Sequence, residues 1–241
     1  MKGGEQVYLP EFQHGQKSII VKDQEYHHLI NVRRFEPDDE VWIVNGLGLA
    51  GLARVSDVEA QTAHLEVRRL EENRGELDVH LTLAIANLKG DHLNVVVEKA
   101  TELGVHEIIP LLTDRTIKKG VNLDRLNRIA VSAMKQSRRS HLPVIRELTS
   151  FKAAIAENHT GVHLFCHADD SSVDLHRQTN IHSASRIVVW IGPEGDWSKD
   201  EIDLAWNSDY TSTGLGPRRL RAETAAIHAV GLLSALLQDP A

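Results

Sequence analysis

From Val79 onward the chain alternates short apolar runs with amphipathic segments, and this rhythm limits its fold more than any other feature. The runs VHLTLAIA, EIIPLL, PVIREL, GVHLFCHA, RIVVWIG and YTSTGLG are interleaved with helical patterns. These patterns are HLNVVVEKATELG, a helix from about Leu123 to Ser140, SFKAAIAEN, SKDEIDLAW and a last helix reaching about Gln238. Strand–helix alternation of this kind predicts an α/β domain on a mostly parallel sheet. The first seventy or so residues read differently. SIIVKD, EVWIVN, GLARVSDV and TAHLEVRRL are short alternating segments with one helix near EYHHLINVRR, which predicts a small β-barrel or sandwich. The polar stretch Leu70–Asp78 is the expected linker, giving domains over 1–73 and 74–241.

Two turns within the α/β region share one design. In VVWIGPEGDWSKDEI an apolar strand stops on Gly192-Pro193-Glu194-Gly195, and Ser198 with Glu201 then forms a capping box for the next helix. In GLGPRRLRAETAAIHAV a strand ends on Gly214 and Gly216, Pro217 turns the chain, and Arg218, Arg219, Arg221 and Glu223 precede an apolar helix. Glycines let the backbone pass through positive φ and approach a ligand closely, while proline removes a donor. A phosphate cradle needs converging N–H groups and a nearby cation, whereas the first turn offers Glu194 and Asp196. Two such turns at the same end of neighbouring parallel strands build a crevice walled by main chain, suited to a neutral or positively charged ligand that carries a base edge.

Other patterns exclude more than they assign. GLGLAG, Gly46–Gly51, matches the spacing of a dinucleotide loop, but a strand-like segment follows it where the phosphate mechanism needs a helix, so a glycine-rich hairpin is expected. His163, Cys166 and His167 lie close in sequence, yet strand alternation separates Cys166 from the histidines and no second ligand pair stands at metal spacing; no metal is expected. No G-x-S-x-G elbow and no Walker loop occurs. The single cysteine excludes an internal disulfide framework, the start MKGGEQVYLP lacks a secretory apolar region, and the apolar run AAIHAVGLLSALL is too short to span a bilayer. A cytoplasmic protein without a membrane span is the expectation.

The net charge of −7 hides an inversion: residues 113–152 hold ten Lys/Arg and three Asp/Glu, leaving −14 on the remainder. At about 100° per residue, Arg125, Arg128, Lys135 and Arg139 share one face of the helix NLDRLNRIAVSAMKQSRRS, with Arg138 beside them. Leu126, Ile129, Ala130, Ala133 and Met134 take the opposite face. The basic face is either solvated or a phosphate contact.

The sequences IGPEG and LGPRRLRAETA, supported by EKATELGVHEIIPL, QSRRSHLPVI and HHLINVRRFEPDDEVWIVNG, make the chain resemble the ribosomal RNA small subunit methyltransferase E family, within the SPOUT superfamily. The resemblance covers essentially the whole chain. It departs at Asp196, where a second glycine is usual, and at Lys135, where an acid often precedes QS. It implies a small PUA-like RNA-binding barrel followed by a SPOUT-type α/β domain with a C-terminal trefoil knot, acting as a homodimer without metal. It also implies S-adenosylmethionine as cofactor, and as activity the methylation of uridine N3 in 16S RNA of the small subunit, free or assembled.

On that resemblance Arg221 and Glu223 are the candidate catalytic pair, a structural salt bridge between them being the plainer alternative. The cofactor is assigned to Leu164, Phe165, His167, Gly192, Pro193, Glu194, Gly195, Leu215, Gly216, Leu220, Arg221 and Thr224, the last as ligand contact or helix cap. RNA contact is assigned to Arg33, Arg34, Arg125, Arg128, Lys135, Arg138 and Arg139. A knotted methyltransferase for another RNA and a non-catalytic assembly factor are the competing functions.

Overall fold

The computed structural model describes residues 4–118, 120–157, 160–167 and 172–238. The chain divides into two compact units, one of residues 1–76 and 131–142, the other of 77–130 and 143–241. The first division falls after residue 76, and a later segment, 131–142, returns to the first unit.

In the first unit the strands are β1 (Gln6–Tyr8), β2 (Ser18–Val21), β3 (Glu40–Val44), β4 (Leu49–Val58) and β5 (Ala63–Glu72). They form one sheet in the order β1-β3-β4-β5-β2, antiparallel except that β1 runs parallel to β3. The result is a half-barrel, whose core includes Val7, Phe12, Leu29, Phe35, Ile43, Val55 and Leu65. GLGLAG is the β3–β4 hairpin: Gly46 and Gly48 take φ of +77° and +101°, and the Asn45 side chain accepts from the amides of Leu47 and Leu49. The expected helix near residue 25 is a short α1 (Asp23–Tyr26) that widens into a π-helical stretch, His27–Val32.

The second unit carries β6 (His80–Ala86), α2 (His92–Glu102), β7 (Glu107–Leu112), β8 (Val144–Ile145), β9 (Thr149–Ser150) and α4 (Phe151–Ala156). These are followed by β10 (Val162–Cys166), β11 (Val173–Asp174), β12 (Arg186–Ile191), α5 (Lys199–Trp206), β13 (Thr211–Gly214) and α6 (Ala222–Leu237). Between β7 and β8 lies α3 (Leu123–Ser137), within which the division between the units falls. All strand pairs here are parallel, in the order β11-β13-β10-β12-β6-β7-β8, with β9 also on β7. This is the mixed α/β architecture that the alternation predicts. The chain starts in the middle at β6, builds outward to β7, and later fills the other side, so the sheet has a switch point beside β12 where ligands of open α/β sheets bind. Beneath it Phe151, Phe165, Trp190, Trp197 and Tyr210 form an aromatic core with ring centroids 4.7–6.2 Å apart.

Two expectations need correction. The helix α3 ends at Ser137, three residues early, because Arg138 turns to φ +63° and the amide of Arg139 reaches back to the carbonyl of Met134. Arg139 is therefore off the helical stripe. It is 1% exposed, and its guanidinium donates to Glu76 at 2.6 and 2.9 Å.

Candidate functional site

At the end of β12 the first glycine turn is fixed from several directions. A side chain at Gly192 would place its Cβ 2.9 Å from Trp197 Nε1, so only glycine fits beneath the indole. Trp197 Nε1 donates to the carbonyl of Cys166 at 3.3 Å, tying the turn to the end of β10. The Asp196 amide donates to the Pro193 carbonyl at 3.0 Å, closing the turn with Asp196 at φ +67°. Aspartate tolerates this left-handed region because its carboxylate answers a nearby amide, here that of Trp197 at 2.8 Å. Arg115 donates to the Gly195 carbonyl at 2.7 Å. The expected capping box of Ser198 and Glu201 forms, and the same Glu201 carboxylate accepts from the Asp114 amide at 2.9 Å. One helix cap thus also anchors the loop after β7.

The second turn follows β13. A Cβ at Gly214 would stand 2.7 Å from the Asp174 carboxylate, which also accepts from the Gly216 amide at 3.3 Å. Gly216 takes φ +93°. Arg221 occupies the N-cap position of α6, and its carbonyl accepts from the Ala225 amide at 2.8 Å. Burial follows from register: the last residues of β10 and β12, Cys166 and Ile191, pair directly, and Thr213 pairs with Cys166 from the other side.

The two turns share one cavity of about 830 Å³. Of the residues expected to hold a cofactor, His167, Gly192, Pro193, Glu194, Leu215, Gly216, Leu220 and Arg221 line it. Leu164 and Phe165 do not: both are 0% exposed, because the strand carries them into the core short of its end. Gly195 lies between lining residues without being one, and Thr224 is an exposed residue of the first turn of α6 outside the lining. Cys166, Ile191, Asp196, Trp197 and Thr213 also line the cavity and were missed. Strand ends in register were the available signal for Cys166, Ile191 and Thr213. Burial pushes the Cys166 thiol up to about 12.

Glu223 lines the cavity, but its partner is not Arg221. His92, at the start of α2, brings Nδ1 to 3.2 Å from Glu223 Oε1, with side-chain exposures of 47% and 17%. Arg218, Arg219 and Arg221 line the cavity as exposed residues. His163 belongs to the aromatic core: it accepts from Trp190 Nε1 at 3.2 Å and stacks on Tyr210 with centroids 4.3 Å apart. Residues 168–170, the end of the GVHLFCHADD segment, lie outside the described residues.

The basic residues divide. Arg125, Arg128 and Arg138 are exposed, although Arg125 pairs with Asp91 at 3.2 Å and Arg128 Nε donates to the Asp124 carbonyl at 3.2 Å. Lys135 is held by Glu25 at 2.6 and 2.7 Å with only 18% of its side chain exposed. In the half-barrel Arg33 pairs with Glu5 at 3.1 Å and Arg34 is exposed at φ +56°. The stripe on α3 therefore shortens: Arg139 is buried against Glu76, and acids distant in sequence engage Lys135 and Arg125.

Comparison with known proteins places this geometry. The family described as RNA methyltransferase domain matches residues 75–234, and the one described as RNA methyltransferase PUA domain matches 21–68. The Ribosomal RNA small subunit methyltransferase E of Rickettsia conorii is 32% identical over 219 residues, 89% of this chain and 88% of that protein. Its namesake from Synechocystis is 34% identical over 230 residues, 92% of this chain and 74% of that protein. Among solved structures, a Ribosomal RNA small subunit methyltransferase E from Neisseria gonorrhoeae bound to S-adenosyl methionine superposes with a TM-score of 0.85 at 28% identity, covering 96% of this chain and 97% of that one. A methyltransferase from Legionella pneumophila in complex with the bound cofactor SAM gives 0.81 at 28% identity, covering 96% and 97%. With both of its units matched and its length spanned, the chain belongs to the ribosomal RNA small subunit methyltransferase E family.

Proposed function

We propose that the protein is an S-adenosylmethionine-dependent methyltransferase that modifies N3 of a uridine in the RNA of the small ribosomal subunit. One observation carries this reading: two glycine-proline turns, at the ends of β12 and β13, wall a single cavity with main chain, and Arg221 and Glu223 stand in the same wall. The residues present suit the cofactor. Ile191, Leu215 and Leu220 offer apolar surface to a flat base, the main chain around Gly192 and Gly216 approaches without side chains, and Glu194 and Asp196 favour a cationic ligand. Bound there, S-adenosylmethionine supplies a methyl group made electrophilic by its sulfonium.

The chain's own residues supply the rest. The N3 proton has to leave, and an enclosed carboxylate, Glu223, is placed to accept it. The negative charge left on the uracil carbonyls is stabilised by Arg221. Alignment of the two reactants in one main-chain cavity supplies roughly 7–11 kcal/mol of the barrier reduction. Arg33, Arg34, Arg125, Arg128 and Arg138 contact phosphates, while the half-barrel, whose residues 1–75 carry nine Lys/Arg and thirteen Asp/Glu, recognises RNA by shape.

A homodimer with a C-terminal knot belongs to the same proposal. It is supported by α6, where Ala226, Val230 and Leu233 are buried while Ile227, Leu232, Leu236 and Leu237 remain partly exposed along an apolar helix. No helix among the described residues is long and apolar enough to cross a membrane, and the proposed substrate places the protein in the cytoplasm. The test is to incubate the protein with labelled S-adenosylmethionine and undermethylated small subunits and map the label. Label on a uridine N3 of the small-subunit RNA is expected; label on another base or another RNA, or none at all, refutes the assignment.

A further inference from the structure

The cavity wall holds a histidine–carboxylate contact whose members lie far apart in sequence. His92 and Glu223 sit in the first turns of α2 and α6, two helices that pack on one another, and their side chains meet at 3.2 Å from Nδ1 to Oε1. A carboxylate oxygen only accepts, so the imidazole hydrogen facing it is on Nδ1. With one oxygen engaged in this way, Oε2 is the oxygen left for a second partner.

Other ionisable groups share the wall, and they are placed differently. His167, Glu194 and Asp196 belong to the first turn's side, and Arg218, Arg219 and Arg221 to the second turn. Glu194 is exposed and accepts from the Lys89 amide at 3.5 Å. Asp196 is 57% exposed, accepts from the Trp197 amide, and lies 3.6 Å from His167 Nδ1. Asp91, next to His92, is engaged by Arg125. Glu223, at 17% exposure, is the more enclosed carboxylate, and enclosure removes the water that would otherwise screen it.

Resting on the uridine-N3 reading above, we propose that His92 is a positioning residue that holds Glu223 as the acceptor of the N3 proton. The N3–H bond breaks and its proton passes to Glu223 Oε2. The electron pair left on nitrogen forms the new N–CH3 bond as the donor's C–S bond breaks, with the C–S pair remaining on sulfur. His92 fixes the carboxylate plane from the Oε1 side, so that Oε2 rather than either oxygen at random meets N3.

The test compares His92→Ala, His92→Asn and Glu223→Gln in the full-length protein. In Asn the amide nitrogen stands about where Nδ1 stands and can still donate. His92→Ala is expected to lower kcat about tenfold or more, with KM for the small subunit and calorimetric affinity for S-adenosylmethionine held within about twofold. His92→Asn recovers most of the lost kcat. The His92→Ala rate keeps rising with pH where the wild-type rate has levelled off, because a mispositioned Glu223 leaves part of the proton removal to hydroxide.

Without cofactor or RNA, ¹H–¹⁵N spectra of the imidazoles place the His92 hydrogen on Nδ1, and Glu223→Gln shifts that resonance. Unchanged kcat in His92→Ala, equal deficits in the Ala and Asn variants, or a deficit confined to cofactor affinity overturns the inference. Wild-type protein that leaves uridine N3 unlabelled refutes the function instead; wild-type labelling matched by His92→Ala refutes only the role of His92.

Discussion

Trp197 fills the space above Gly192: its Nε1 would lie 2.9 Å from any Cβ added there, while the same Nε1 donates to the Cys166 carbonyl. One indole therefore sets the depth of the first turn and links the ends of β10 and β12. Its ring packs on Phe165 and Phe151 with centroids 4.7 and 4.9 Å away, so it cannot move aside without disturbing the aromatic core.

Gly192→Ala forces that displacement. The substitution is expected to destabilise the fold by about 1–3 kcal/mol, as overpacking does, and to weaken S-adenosylmethionine binding by about tenfold or more as the turn shifts. Urea unfolding and calorimetry measure the two effects. Wild-type affinity in a stably folded Gly192→Ala would show that the turn does not shape the cofactor site.

Arg139 and Glu76 are each 2% exposed at the side chain, and the other oxygen of Glu76 accepts from the amides of Ser140 and His141 at 2.9 and 2.8 Å. Removing one partner strands a buried charge. Arg139→Ala is expected to cost about 3–5 kcal/mol in chemical denaturation. Arg139→Met combined with Glu76→Leu costs less than the sum of the two single changes. A loss of RNA affinity in Arg139→Ala without loss of stability would return Arg139 to the RNA-binding face.

Why the sequence misled at Arg139 and not at Ser198 is a matter of range. The capping box depends on two residues three apart, and β7 and the β3–β4 hairpin likewise rest on local pattern, so all three were legible. The burial of Arg139 depends on Glu76, 63 residues upstream, and that of Lys135 on Glu25, 110 residues upstream. Periodicity records which face a residue takes on a helix, but neither where the helix stops nor which distant acid arrives. The three-residue β1 had no alternation to read, and its pairing with β3 is long-range. The two glycine turns were legible, and so was a crevice between them, but their strands are not neighbours as expected: β10 lies between β12 and β13, an order that depends on long-range pairing.

Cys166 and Tyr210 link the core to pH. Burial raises the thiol from its ordinary 9.0 to about 12, and burial also raises the Tyr210 phenol. Both groups keep their protons to higher pH when folded than when unfolded. Their contribution to stability is therefore complete below about pH 9 and is lost as the pH climbs toward 12. At pH 8 the folded thiolate fraction is therefore well below that of the unfolded chain, in a group that reacts as its anion. Iodoacetamide should label native Cys166 correspondingly slowly and the urea-unfolded chain readily. Comparable rates in the two states would mean that the thiol is not held protonated.

Asp196 tests how much of the first turn depends on backbone strain. At φ +67° its side chain is tolerated through the bond to the Trp197 amide. Asp196→Ala keeps the strain and loses the bond, and is expected to destabilise by about 1–2 kcal/mol; Asp196→Gly loses the bond and the strain together and should stay within about 1 kcal/mol of wild type. Thermal unfolding orders the variants. Alanine as stable as glycine would remove the left-handed conformation as the determinant.

Arg125 and Arg128 are the exposed cations that α3 retains one turn apart, since Lys135 is committed to Glu25. If they contact phosphates, replacing both with glutamine removes about two counterion-releasing contacts. The slope of log affinity against log salt should then flatten by about 1.5 to 2, with affinity falling evenly across RNA sequences. The Lys135→Gln variant, whose cation is already neutralised by Glu25 within the fold, should leave that slope nearly unchanged and lose stability instead. Filter binding of small-subunit RNA across a salt series separates the two. Equal slopes for the wild type and the Arg125/Arg128 variant would assign these arginines to the solvated surface, with Arg125 serving its pair with Asp91.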